Sequence, residues 1–123
     1  IRRTGNYLRR DAILEMEKLI NEGIHIDAIF SESDSMLSGV RSAMKRHEID
    51  PKSIFMVGCD YITEAQEAIQ KGEQTASIHF PLGGREAFEV ALKILNGESV
   101  PKHISLPTQL ITQENVDTVQ PIF

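Results

Sequence analysis

Three times along this chain a short apolar run ends in polar residues and passes at once into a helical pattern. The runs are Asp27-Ala28-Ile29-Phe30-Ser31-Glu32-Ser33-Asp34, Ile54-Phe55-Met56-Val57-Gly58-Cys59-Asp60 and Thr75-Ala76-Ser77-Ile78-His79-Phe80-Pro81. Strand and helix alternating with connections of a few residues leave little choice of fold. They predict βαβ units with right-handed crossovers, hence an α/β domain with a mostly parallel sheet. The expectation is a three-layer α/β/α arrangement, with helices on both faces of the sheet. In open parallel sheets ligands bind beyond the carboxyl ends of the strands. The three polar tips are therefore where function is expected.

Four helices follow from the spacing of apolar residues. The first, Asp11 to Asn21, puts Ala12, Ile13, Met16, Leu19 and Ile20 on one face, with Gly23 as its stop. The second, Ser35 to His47, repeats that spacing. Thr63-Glu64-Ala65-Gln66 has the form of a capping box and opens a third helix that ends before Gly72. The fourth, Gly84 to Asn96, is expected to turn Ala87, Phe88, Ala91, Leu92 and Leu95 inward, with Gly97 as its stop. Beyond it, Ile104–Leu106 reads as an edge strand and Leu110–Thr112 as an extended return segment. No strand precedes the first helix, and the first residue is Ile1, so the chain is expected to be one lobe, residues 1–123, cut from a longer protein. An edge left open by the absent strand would favour pairing of two copies.

Composition narrows the function classes. Eighteen acidic against thirteen basic residues give a net charge of −5. No basic stripe is available to neutralise phosphates, which argues against a nucleic-acid partner. Apolar residues make up 41% and charged residues 25%, the balance of an ordinary globular domain. No stretch approaches the roughly 18 apolar residues of a membrane span. Cys59 is the single cysteine, so no intramolecular disulfide can form. Gly83-Gly84 matches no phosphate-binding loop, no histidines or cysteines have metal-ligand spacing, and no nucleophile stands beside a recognisable base. No catalytic residue, metal or cofactor is expected.

At the strand tips the residues suggest binding instead. Asp60 follows Gly58, whose missing side chain lets another group approach the backbone; with Thr63 read as the helix cap, Asp60 is free to grip vicinal hydroxyls. Ser33 divides evenly between ligand contact and turn residue. For Asp34 the helix N-cap reading is favoured, and Glu32 is expected to face solvent. His79 ends the third strand and is more simply a hydrogen-bonded structural residue, as Cys59 is a small buried hydrophobe. Tyr7 and Arg9, ahead of the first helix, supply an aromatic face and a forked donor, the two groups a sugar site needs most. Surface residues at a frayed end would look the same.

Several of these segments together resemble the C-terminal lobe of type I periplasmic sugar-binding proteins of the ribose/galactose-binding group. Gly5-Asn6-Tyr7-Leu8-Arg9 is similar to that family's G-x-W-x-R, Ile29 to Gly39 to its strand followed by N-D-x-M-A-x-G, and Val57-Gly58-Cys59-Asp60 to its V-G-x-D. Ile69-Gln70-Lys71-Gly72, Pro81 to Ala87, Leu95 to Glu98 and Leu110 to Val116 resemble its later segments. By position, the resemblance puts the aromatic stacker on Tyr7, the sugar-binding arginine on Arg9, the hydroxyl-binding asparagine on Ser33 and the hydroxyl-gripping aspartate on Asp60. The polar residue after the last core strand falls on His79; Asp34 is also counted among the expected ligand-binding residues.

The resemblance implies a non-catalytic sugar-binding lobe that closes on ligand against a missing N-terminal lobe. Its location would be periplasmic or extracytoplasmic. Its partner would be an ABC permease or the transmembrane region of a sensor kinase. A single lobe holds half a cleft, so this segment alone is expected to bind sugar weakly or not at all. The effector-binding domain of a LacI-type transcription regulator shares the fold and is the alternative. The tail Thr112-Gln113-Glu114-Asn115-Val116 favours transport, and Gly58-Cys59-Asp60-Tyr61 stands where the regulators carry G-F-D-D.

Overall fold

Hydrophobic spacing resolves into nine elements in a computed structural model that describes residues 1–123. Helix α1 (Arg9–Asn21) precedes β1 (Ala28–Phe30), α2 (Asp34–Arg46), a 3-10 turn (Pro51–Ser53) and β2 (Phe55–Cys59). Then come α3 (Thr63–Gln70), β3 (Ala76–His79), α4 (Gly84–Leu95) and β4 (Gln109–Ile111). The sheet order is β1-β2-β3-β4, with the first three strands parallel and β4 antiparallel to β3. The α/β class and the mostly parallel sheet are as expected. β4 falls on the expected return segment, whereas Ile104–Leu106 forms no strand.

Because the strand order is monotonic, right-handed crossovers place successive helices on one side of the sheet. Strand alternation shows which side. Ile29, Met56, Gly58, Ser77 and Ile111 share one face. There Met56 packs with Met16 of α1 and Leu37, Ala43 and Met44 of α2. Ile111 packs with Ile69 of α3, Tyr61 and Val116. Each fully buried side chain of this kind is worth about 1.5–3 kcal/mol of transfer free energy. Phe30, Phe55 and Leu110 lie on the opposite face and are exposed.

Helices α1, α2 and α3 supply the packing on the core face. The fourth helix departs most from expectation: α4 has an apolar stripe but no buried residue, and Phe88 is 64% and Leu95 81% exposed. Amphipathic spacing says that a helix has a face to bury, not what lies opposite it. Irregular segments lead away from α4 on either side and bring none of this chain's sheet or helices against the stripe. β1 lies at the edge of the sheet, its outer side unpaired.

Helix starts also differ from the sequence reading. Ser33 caps α2 by accepting from the Ser35 amide at 3.2 Å, and Asp34 is the first residue of the helix rather than its cap. Thr63 likewise is the first residue of α3 and caps nothing; its hydroxyl and amide both donate to the Phe123 carbonyl. The Phe123 carbonyl takes the group that a capping box would have used.

Two glycines permit the approaches on which the site depends. A Cβ on Gly39 would lie 2.5 Å from the Arg9 carbonyl, so glycine lets α2 lie close against the start of α1. A Cβ on Gly58 would lie 1.8 Å from an Asp34 carboxylate oxygen. That carboxylate is fully buried and has no room to retreat. Gly58→Ala should therefore cost about 3 kcal/mol in chemical denaturation, against ~0.5 kcal/mol or less for Gly84→Ala, where nothing lies within 4 Å. Tyr61→Phe should cost about 1–2 kcal/mol, because the phenol donates to the Val116 and Val119 carbonyls at 2.9 and 3.1 Å and pins the C-terminal segment.

Candidate functional site

The carboxyl ends of β1 and β2 meet the amino termini of α2 and α3 at an open cavity of about 430 Å³. Arg9, Ser33, Ser35, Asp60, Thr63 and Glu64 supply its polar lining, with Ile62 and Phe123 beside them. A cavity of about 420 Å³ at the opposite end is lined by Gly72, Gln74, Thr75, Thr112, Gln113 and Glu114. The first has the position that parallel sheets use for ligands and holds three of the residues singled out in the sequence.

Asp60 owes its position to a corner with two consecutive left-handed residues. Its φ is 101° and that of Tyr61 is 60°. Non-glycine residues in that region cost on the order of 1 kcal/mol each and persist only when surrounding contacts over-determine them. Those contacts are present. The Asp60 amide donates to the Ile78 carbonyl at 3.0 Å. The Tyr61 amide donates to the Asp34 carboxylate at 2.7 Å and to the Ser77 hydroxyl at 3.1 Å. The Tyr61 side chain is fully buried, with its ring edge-on to His79 at 5.9 Å. Partial burial raises the Asp60 carboxyl above the ordinary aspartate range, offset in part by the Ser33 hydroxyl and the Asp34 amide. Asp60 thus sits on the positive end of α2, which favours its charged form.

Beneath this corner lies a buried polar chain absent from the sequence reading. Asp34 is completely buried and accepts from Gln74 at 2.7 Å, from the Ser77 hydroxyl and from the Tyr61 amide. Gln74 in turn accepts from Arg41, which is 6% exposed, and donates to the Ala76 carbonyl at 3.0 Å. Desolvation raises the Asp34 carboxyl, and the donors from Ser77, Gln74 and Tyr61 act against it. Desolvation lowers the Arg41 guanidinium, and the Asp34 charge raises it. No buried side-chain polar atom lacks a partner, so the chain is satisfied throughout, as a buried polar network must be. No group of three or more His, Cys, Asp or Glu side chains is placed to hold a metal ion.

The segment ahead of α1 carries the expected aromatic group. Asn6 and Tyr7 are both left-handed, with φ of 50° and 56°, and turn the Tyr7 ring outward. Its hydroxyl donates to Glu32 at 3.1 Å, and that hydrogen bond raises the phenol above its usual range. Arg9, on the first turn of α1, is ion-paired with Glu64 of α3. Glu32 and Glu64 thus hold the two groups expected to meet a sugar. Their positions give no sign of this in the sequence, because each partner is remote along the chain.

Of the six residues expected to form the site, Arg9, Ser33 and Asp60 line the cavity, and Tyr7 is exposed outside the lining, hydrogen-bonded to Glu32. Asp34 lies below the floor, with both carboxylate oxygens occupied. His79 is half-buried against Tyr61. Cys59 is half-buried rather than core, and burial raises its thiol above the ordinary range, which makes it a poor nucleophile.

The model of the periplasmic binding protein domain matches residues 2–99. A putative rhizopine-binding protein of Rhizobium meliloti is 29% identical over 119 residues, covering 95% of this chain and 38% of that protein. An HTH-type transcriptional repressor, MelR of Bacillus subtilis, is 31% identical over 112 residues, covering 90% of this chain and 32% of that protein. A crystal structure from Mycobacterium smegmatis in complex with β-D-fucofuranose superposes with a TM-score of 0.86 at 26% identity, over 94% of this chain and 38% of its own. The chain thus spans 32–38% of the length of these proteins. Family model and shared fold agree: the chain belongs to the periplasmic binding protein family.

Proposed function

We propose that residues 1–123 are one ligand-binding lobe, the C-terminal one, of a two-lobed protein that binds a sugar or similar polyol without chemical conversion. The observation that carries this reading is Asp60, a carboxylate held at a strained corner in a polar cavity, with no cation paired to it. A carboxylate accepts from two adjacent hydroxyls at once, the pattern a polyol presents. Ser33 would add a hydroxyl to the same edge of the ligand, Arg9 a forked donor and Tyr7 a ring face. Arg9 and Tyr7 would exchange their bonds to Glu64 and Glu32 for bonds to ligand as the cleft closes. His79 would act from behind, through the Tyr61 ring.

A half cleft needs its other half. The bare stripe of α4 and the open sheet face carrying Phe30 and Phe55 are apolar surfaces of the kind that mark contact sites. We assign the α4 stripe to the N-terminal lobe of the full protein. The closed, ligand-loaded form would then be read by an ABC permease or by the transmembrane region of a sensor kinase, outside the cytoplasm. Pairing of two copies through the free edge of β1 is the remaining use of these surfaces.

A second reading has one observation in its favour, the 31% identity to a transcriptional repressor. In that case the same cavity takes a cytoplasmic inducer, and a helix-turn-helix lies upstream in the same polypeptide.

Titration calorimetry of the full-length protein against pentoses, hexoses and inositols is the direct test. Binding of one of them is expected, with Asp60→Asn weakening it by roughly tenfold to a hundredfold, the loss of hydrogen bonds to a charged group. Binding of none of them would remove the sugar reading. The pH dependence has a definite sign. Protonation of Asp60 removes an acceptor, so affinity should hold at neutral pH and decline as the pH falls through the raised Asp60 pKa. Because that pKa is raised, the decline should begin above the range expected of an ordinary aspartate with a pKa of about 3.9.

A further inference from the structure

The buried Asp34 is close to the cavity but does not open onto it. Its carboxylate has three donors, and each belongs to a different part of the floor: Gln74 just before β3, Ser77 within β3, and the Tyr61 backbone amide. The last is informative. The peptide that joins Asp60 to Tyr61 lies between two left-handed residues, φ 101° and 60°, a conformation with little intrinsic support outside glycine. The Tyr61 amide is the only part of that peptide that reaches the buried carboxylate, at 2.7 Å. A backbone N–H bonded to an ionised acceptor makes a short, strong hydrogen bond, so the peptide's orientation is set from below.

Gly58 shows that the approach is built in. A side chain at that position would overlap the carboxylate at 1.8 Å and meet the Gln74 amide nitrogen at 3.1 Å. β2 gives up a side chain in its most buried stretch to let Asp34 reach across to the corner. Arg41 and Gln74 complete the arrangement: Arg41 donates to Gln74, which turns its amide nitrogen to Asp34. The charge of Asp34 is thereby met by a buried cation one residue removed.

Resting on the sugar-binding reading above, we propose that Asp34 is the positioning residue of this site: it never touches the ligand, and through the Tyr61 amide it holds the corner that aims Asp60 into the cavity. Asp34→Asn keeps the size of the side chain but replaces one acceptor with a donor. That donor would face either the Gln74 amide nitrogen or the Tyr61 amide, and Gln74 cannot turn over without losing Arg41. The corner then loses its charged anchor, keeping the neutral bonds to Ser77 and Ile78, while the cavity lining is unchanged.

The test uses the full-length protein with D-ribose and myo-inositol as probes, in wild type, Asp34→Asn, Asp60→Asn and the double variant. Asp34→Asn should melt cooperatively and bind about tenfold more weakly or worse. In the Asp60→Asn background the same change should alter affinity by less than about twofold, because its route to the ligand is already removed. A purely structural role predicts equal losses in both backgrounds, and that result overturns the proposal, as does unaltered affinity in folded Asp34→Asn. If Asp34→Asn does not fold, Gln74→Met, which removes a donor to the carboxylate without touching the Tyr61 amide, takes its place under the same criteria. Failure of wild type to bind either probe counts against the sugar reading alone. In that case, or if Asp60→Asn abolishes binding, ligand-free crystal structures of wild type and the Asp34 or Gln74 variant decide. An Asp60 carboxylate displaced by about 0.5 Å or more supports the proposal, and an undisplaced one overturns it.

Discussion

A single buried carboxylate organises this molecule. Asp34 receives donors from β3, from Gln74 two residues ahead of that strand and from the backbone beyond β2, so it joins the first residue of α2 to two neighbouring strands. Burying an ionised carboxylate is unfavourable unless its lone pairs are satisfied and a counter-charge lies near. Gln74 and Arg41 supply both. The arrangement is expensive to assemble and, once made, admits few alternatives. Gly58 has to lack a side chain, Ser77 has to be small and hydroxylated, and the chain beyond β2 has to turn through a left-handed corner. These are conditions on the floor of the site rather than on the core, which Leu37, Met44 and Met56 secure by ordinary packing.

The consequence for function is one of placement. Ligand-binding side chains are effective when their own supports are rigid, since a loosely held group loses part of its hydrogen-bond energy to reorganisation. Asp60 has such support from below, and Ser33 shares it by capping the helix that Asp34 begins. Tyr7 and Arg9 are held differently. Their partners, Glu32 and Glu64, are exposed groups on the rim. Exposed pairs of this kind contribute little to stability and exchange partners readily. The half-site therefore combines a rigid floor with an adaptable rim, which suits a cleft that must admit its ligand before closing.

Much of the fold was legible. All four helices and the three parallel strands lie within a few residues of the positions that apolar spacing predicts, because each depends on local periodicity and on stop signals such as Gly23 and Gly72. The errors have a common origin. Thr63 and Asp34 both have the residue types of helix caps, but the group that wins a helix end depends on what else reaches it: the Phe123 carbonyl in one case, Ser33 in the other. The amphipathic stripe of α4 was legible as well. That nothing in this chain covers it was not, since a stripe records a need for burial and not its partner.

The candidate site divides along the same line. Asp60, Ser33, Arg9 and Tyr7 were identified from residue type, from their place at strand ends and helix starts, and from resemblance to a family, all of which are linear properties of the chain. The roles of Gln74, Arg41, Glu32 and Glu64 were decided only by the tertiary structure, which brings together residues separated by 33, 25 and 55 positions. The sequence by itself determined the α/β class, the order of the elements and which residues stand at the strand tips. Only the tertiary structure decided that Asp34 points down rather than out. Local spacing dictates secondary structure, but whether a carboxylate faces solvent or a buried amide depends on contacts that form after the chain has folded.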